Sequence, residues 1–426
     1  MSGCGTHIIK IKYIDMLAIR LHSQNLFLYL YAFSISIESI QPFGLENFSM
    51  SKLFAALYFL SILPSVKIFF SLNRNLYFFW PIALFFVWLI YISLVNINTY
   101  SSRFFAADIF FNLIIFVAIV NHARKDCLAL DKAMFAFAVG AIAVSMMLFL
   151  DIGKEINSDG RATFFGAGLN ELGIKLAMGL IIISTTLVQD TFILGKKRFF
   201  LAVFIPIILL SILETGSRTS FAVLLIAASI WFFLRTMNAR NKVVVIMGSV
   251  IVLIVVFTPL LFYALQSELF LSRFSSDARV GYMNLGGRDV IWRSFLSLIS
   301  ENIVFGYGLS GYDYHSFQLF QGRQSPHNVI IEILLYIGLV GLAIYLFFLY
   351  RVFFASYKVC KHTGNYLPAL LLSIFIGFTL SLQGLSEKAC WLILAYIVGS
   401  YLYEQEKSLL IRAAIDIKTS RDRGSK

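Results

Sequence analysis

The feature that most constrains this chain is a series of uninterrupted apolar runs, each about as long as a lipid bilayer is thick. Residues 242–264 and 328–350 are two of them. A helix needs about 20 such residues to cross the hydrocarbon core. Within that core every backbone N–H and C=O must bond inside the protein, which leaves helices and closed barrels. A barrel would read as alternating segments of about ten residues, and these runs do not alternate. The expected fold is therefore all-α, a polytopic membrane protein. Composition matters here for one point: 59% of the 426 residues are hydrophobic and only 14% charged, with a mean hydropathy of +0.81. A soluble chain is about a quarter charged.

About twelve spans are expected, near 26–40, 52–70, 76–96, 104–121, 132–150, 166–188, 199–213, 219–234, 243–264, 327–350, 366–384 and 389–403. The chain then divides into an interfacial segment (1–25), spans one to nine (26–264), a long polar loop with a short helix (265–326), spans ten to twelve (327–403) and a tail (404–426). Residues 7–24 carry Ile8, Ile11, Ile14, Leu17 and Leu21 near helical spacing, with Lys10, Lys12 and Arg20 interspersed. That pattern suits a helix lying on the membrane surface. A cleaved signal peptide is the rival reading, but no small-x-small site follows and Glu38 interrupts the apolar run.

Orientation follows from the loops. With the N-terminus in the cytoplasm, most of the 35 lysines and arginines fall in cytoplasmic segments, as the positive-inside rule requires. Both termini are then cytoplasmic, and 265–326 is periplasmic. This sidedness accounts for most of the net charge of +12, so nucleic acid is not an expected partner. Cys4, Cys127, Cys360 and Cys390 share no metal-ligand or CxxC spacing, which argues against zinc and redox chemistry. No D-x-D pair occurs, which weighs against a metal-dependent nucleotide-sugar transferase.

The outer loop holds Arg273, Arg279, Arg288, Arg293 and Arg323. Long loops escape the charge rule, but these cations still need a reason. Residues 286–300 read as a short amphipathic helix with Arg288 at its start. Arginine there opposes the helix dipole, and a bound phosphate would reverse that penalty. Pairing with Asp289 or lipid headgroups is the blander alternative. Arg218 opens a span in the same way after Ser217, a candidate N-cap, with a salt bridge to Glu214 or snorkelling as its alternative. Ser325-Pro326-His327-Asn328 precedes another span, and Pro suits the first helical turn. A histidine at a helix N-terminus tends to stay neutral and able to accept a proton, although a purely structural role is equally open; His315 is its competitor. Tyr307, Tyr312 and Tyr314 offer faces for sugar rings, or belong to the interfacial belt. Gly306 to Gly311 matches GxGxxG literally without a βαβ context, and is expected to be a flexible turn. Glu171 and Lys175, at i and i+4, could neutralise each other at a membrane-embedded position.

As a set these motifs resemble a known family. GGRDVIW (286–292), ENIVFGYGLSGY (301–312) and SPHNVIIEILLYIGLVGL (325–342), with TGSRTSF (215–221) and GLNELGIKLAMG (168–179) upstream, are similar to the bacterial O-antigen polymerase and ligase family. The resemblance covers about 165–345. It implies inverting glycosyl transfer on the periplasmic face of the inner membrane, with no metal, nucleotide or other cofactor. The implied partners are an undecaprenyl-pyrophosphate-linked oligosaccharide as donor, a glycan or lipid A-core as acceptor, and a chain-length regulator. Carried over by position, Arg218 and Arg288 would hold the pyrophosphate and His327 would deprotonate or orient the acceptor hydroxyl. Asn328, Arg293, Tyr307, Tyr312 and Lys175 complete the expected substrate-binding set. The GR-x-x-IW form and the SRT start look more polymerase-like than ligase-like. A twelve-span transporter or lipid flippase is the alternative of another class, but its polar groups would sit near the midplane in two related halves.

Overall fold

The computed structural model describes residues 22–41, 49–70, 76–95, 102–157, 160–189, 195–238, 288–382 and 384–424. The expected ninth span, most of the amphipathic segment 7–24 and the first part of the long loop lie outside the described residues.

Helices dominate, because apolar chain in lipid must satisfy its own backbone. Helix α1 (22–36) ends in a turn that carries Glu38. Helix α2 (Met50–Ile62) starts at Ser49, whose hydroxyl accepts the Lys52 N–H, and passes through a 3-10 turn at Pro64 into α3 (Val66–Phe69). Then follow α4 (Leu76–Val95), α5 (Ser102–Lys125) and α6 (Cys127–Phe149), the last capped by Asp126. A small antiparallel hairpin, β1 (Lys154–Ile156) and β2 (Ala162–Phe164), leads to α7 (Leu169–Val188). Beyond it lie α8 (Phe204–Thr215) and α9 (Arg218–Asn238). The remaining helices are α10 (Arg288–Glu301), α11 (Gly308–Phe320), α12 (Val329–Thr363), α13 (Leu367–Ser381) and α14 (Lys388–Gly424).

Among the described residues, eight helices are long and apolar enough to cross a membrane, and Leu367–Ser381 is a shorter apolar one. The expected seventh span begins as a 3-10 helix over Gly195–Val203 before α8 takes over. Helix α14 runs on past residue 403 to Gly424, so the tail continues the last helix.

The GxGxxG stretch corrects one expectation. It is a turn only as far as Tyr307, and α11 starts at Gly308. Local sequence rich in Gly, Ser and Tyr hides this helix, because its support is tertiary. Leu309 N–H donates to Ser93 Oγ at 3.1 Å, and Tyr312 packs edge-on against Tyr336. Helix α12 is interrupted at Gly338, which adopts φ 62°, ψ −163°. The turn at 303–304 fits into the break: Leu339 N–H bonds Ile303 O at 2.8 Å and Val340 N–H bonds Val304 O at 3.4 Å. Irregular backbone at membrane depth is tolerated when protein satisfies it in this way.

Contacts between helix ends sort the bundle into two faces. At one face Arg124 pairs with Glu406, Gln189 donates to Gly364 O, and Tyr396 donates to Asp131. The end of α1, the starts of α7, α9, α12 and α14 and the end of α13 meet at the other, joined by the contacts described next.

Candidate active site

Arg218 is the first residue of α9. Its position is set by the turn before it. Gly216 takes the left-handed conformation (φ 57°) that ends α8, and Ser217 Oγ accepts the Ser220 N–H at 3.4 Å. Ser217 Oγ itself donates to Asn170 Oδ1 at 3.1 Å, which ties α9 to the start of α7. The helices come this close because residue 173 is glycine: a Cβ there would lie 2.3 Å from Ser220 Oγ and 2.9 Å from Ser217 Cβ. Arg161 Nε donates to Thr215 O at 2.8 Å and fixes the turn from the hairpin side. The Arg218 side chain is exposed and has no ion-pair partner among the described residues.

Arg288 opens α10, as the sequence predicts. It is half-buried, and its one hydrogen bond among the described residues is a long one, 3.5 Å to Ser381 O at the end of α13. No carboxylate pairs with it there. Asp289 pairs instead with Arg293 at 3.8 Å, and the Arg293 side chain is 84% exposed.

His327 lies beside Arg288. Trp292 Nε1, one turn along α10, donates to Pro326 O at 2.7 Å and docks the two segments. Burial pushes the His327 imidazole below its ordinary range, and Arg288 pushes it further the same way. Among the described residues its Nδ1 is buried without a hydrogen-bond partner. Both effects disfavour the imidazolium form. The backbone at His327 is left-handed (φ 48°). The expectation that Pro326 sits in the first helical turn is corrected: Asn328 is the N-cap and α12 starts at Val329. Asn328 Oδ1 accepts from Ile330 N at 2.9 Å and Ile331 N at 3.3 Å. This side chain outcompetes proline because it satisfies two N–H groups at once.

The remaining expected residues are distributed more widely. Tyr312 is fully buried between Phe295 and Tyr336, with its hydroxyl bonded to Gln324 O. Tyr307 is half-buried; its hydroxyl donates to Leu298 O at 2.9 Å and its ring meets His315 edge-on. Lys175 is enclosed by acids: Nζ donates to Glu38 Oε2 at 3.0 Å, bonds Glu171, and lies 4.0 Å from Glu387. Lys388 bonds the other oxygen of Glu38. Glu38, Glu387 and Lys388 escaped sequence reasoning. The single available signal was Glu38 interrupting an apolar run, since an ion within a span needs a partner.

The arrangement is thus one end of the bundle where, among the described residues, two guanidinium groups without a carboxylate partner stand at helix starts and a histidine lies beside one of them. Guanidinium groups and helix N-termini both favour phosphate oxygens. The surrounding fold is that of a polytopic helical membrane protein.

Residues 199–346 match the family model described as O-antigen ligase. The match spans less than half of the chain, and it takes in Arg218, Arg288 and His327. The acids around Lys175 lie outside it. No curated protein matches the chain.

Proposed function

We propose that this protein transfers a glycan from undecaprenyl pyrophosphate to a sugar hydroxyl at the periplasmic face, as a surface-polysaccharide polymerase. The observation that carries this reading is the buried His327 Nδ1, which has no hydrogen-bond partner among the described residues, beside Arg288, which has no carboxylate partner among them. In the step envisaged, the acceptor oxygen attacks the anomeric carbon opposite the leaving pyrophosphate. The new C–O bond forms as the C–O bond to phosphate breaks, and the configuration inverts. The hydroxyl proton passes to the imidazole. Negative charge grows on the leaving pyrophosphate, so Arg218 and Arg288 stabilise the transition state more than the bound donor.

A second reading, ligation to lipid A-core, is favoured by the name of the matching family model. The two differ only in acceptor, and a gel of cell-envelope glycans from a deletion strain separates them. Core carrying a single repeat is the polymerase outcome; bare core is the ligase outcome. An unchanged ladder rejects both.

The arginines give a sharper prediction. Arg218→Ala and Arg288→Ala are each expected to abolish most product at normal protein levels. Lysine at either position is expected to restore activity only in part, because an ammonium group cannot bind phosphate in bidentate fashion. Full activity of both lysine variants would mean that diffuse positive charge suffices, and the cradle would be wrong.

A further inference from the structure

The acids around Lys175 come from three distant parts of the sequence: the turn after α1, the first turn of α7, and the residue before α14. Oxygens of Glu38, Glu171 and Glu387 all lie within 4.8 Å of one another. Three carboxylates this close repel one another unless a cation is shared among them. Lys175 Nζ lies within 4.0 Å of all three, and its side chain is only 5% exposed. The carboxylates are the more exposed partners, at 18%, 26% and 15%.

We propose that Lys175 is a positioning residue: its ammonium group is the built-in cation of a three-carboxylate cage that holds the Arg218 side of the site in register. The link to Arg218 is short. Glu171 follows Asn170, which accepts from Ser217 Oγ, and Ser217 caps the helix that Arg218 opens. Lys175 therefore acts through the backbone it fixes, and its donors are directed to carboxylates rather than to a substrate. With Lys175 removed, three carboxyl groups would face one another with only Lys388 as a counter-charge, and an all-oxygen cage of that kind suits a divalent cation. Lysine thus stands where a metal ion would otherwise be needed. The consequence for Arg218 rests on the transferase reading; the cage itself does not.

The test uses purified full-length protein in detergent. Lys175→Met keeps the length of the side chain and loses the charge. In EDTA its thermal midpoint is expected to fall by at least about 5 °C, because a buried ion pair loses one partner. Millimolar Mn2+ is expected to recover at least half of that shift, while the wild type responds to neither reagent. Glu171→Gln combined with Lys175→Met restores the charge balance, and is expected to regain stability without any Mn2+ response. Glycan transfer by Lys175→Met in EDTA is expected to fall about a hundredfold, as misplacement of a binding group by about 1 Å can cause. Donor affinity falls with it, the acid limb of the pH profile stays in place, and Mn2+ restores both rate and affinity. A variant as stable as wild type in EDTA, or one indifferent to Mn2+, overturns the cage. If Lys175→Met does not accumulate and the double variant does not recover, the cage is overturned as well. A Mn2+-responsive midpoint with no transfer by the wild type leaves the cage standing and rejects the transferase reading instead.

Discussion

His327→Ala is expected to lower turnover about a hundredfold while leaving binding of the lipid-linked donor nearly unchanged, since general-base assistance is worth about 10²–10⁴ in rate. The arginines that hold the pyrophosphate remain in this variant, so the loss falls on the chemical step. Residue 327 sits in the left-handed region, where alanine is strained and asparagine is better tolerated. His327→Asn therefore accompanies it, and keeps the backbone while removing the basic nitrogen. Both variants are expected to lose turnover alike. His315, partly exposed against Tyr307 and Tyr314 in α11, is expected to tolerate alanine with much of the activity kept. The wild-type profile adds a pH signature. Burial and Arg288 both disfavour the imidazolium form of His327, so the neutral base persists as pH falls. The acid limb of turnover is expected below the ordinary imidazole value of 6.5. Near-normal turnover by His327→Asn, or an acid limb above that value, would remove His327 from the mechanism.

Gly338→Ala is expected to cost on the order of 4 kcal/mol, combining backbone strain at a conformation open almost solely to glycine with overpacking against fixed neighbours. A Cβ at this position would lie 2.2 Å from Val304 O and 2.3 Å from Val304 C. Those atoms cannot move aside cheaply, because Ile303 O and Val304 O already accept the N–H groups of Leu339 and Val340. Moving the turn would break the bonds that satisfy the interrupted helix, and His327 immediately precedes the N-cap of α12. The variant is expected to accumulate poorly and to melt well below the wild type. Gly322→Ala is the control, since nothing lies within 4 Å of the added carbon, and a change within about 0.5 kcal/mol is expected. Wild-type accumulation and melting of Gly338→Ala would mean that α12 runs through this point unbroken.

What the sequence by itself determined is what depends on short-range pattern. Apolar runs about as long as a bilayer is thick have one general solution, so α4 to α7 and α9 could be read directly, whereas the shorter run at α8 starts as a 3-10 helix. Arg218 and Arg288 at helix starts were legible for the same reason: a helix boundary follows from local chemistry, and a cation at its dipole's positive end is conspicuous. The position of His327 just before a helix was legible from its neighbours, although the cap was misassigned, because Pro326 and Asn328 both signal helix starts and only three-dimensional packing chose between them.

Tertiary structure alone decided the rest. Helix α11 has no periodic signal of its own and forms because α4 and α12 supply its partners. The break at Gly338 reads as an ordinary glycine in an apolar run; what makes it a break is a turn from residues 303–304, more than thirty positions earlier, completing the interrupted backbone. The acids that enclose Lys175 sit at 38, 171 and 387, and no local rule relates them. A buried charge requires partners, but Coulomb's law acts through space and is indifferent to sequence separation. The sequence could pair Lys175 with Glu171 at i,i+4, and only the packed bundle could add Glu38 and Glu387.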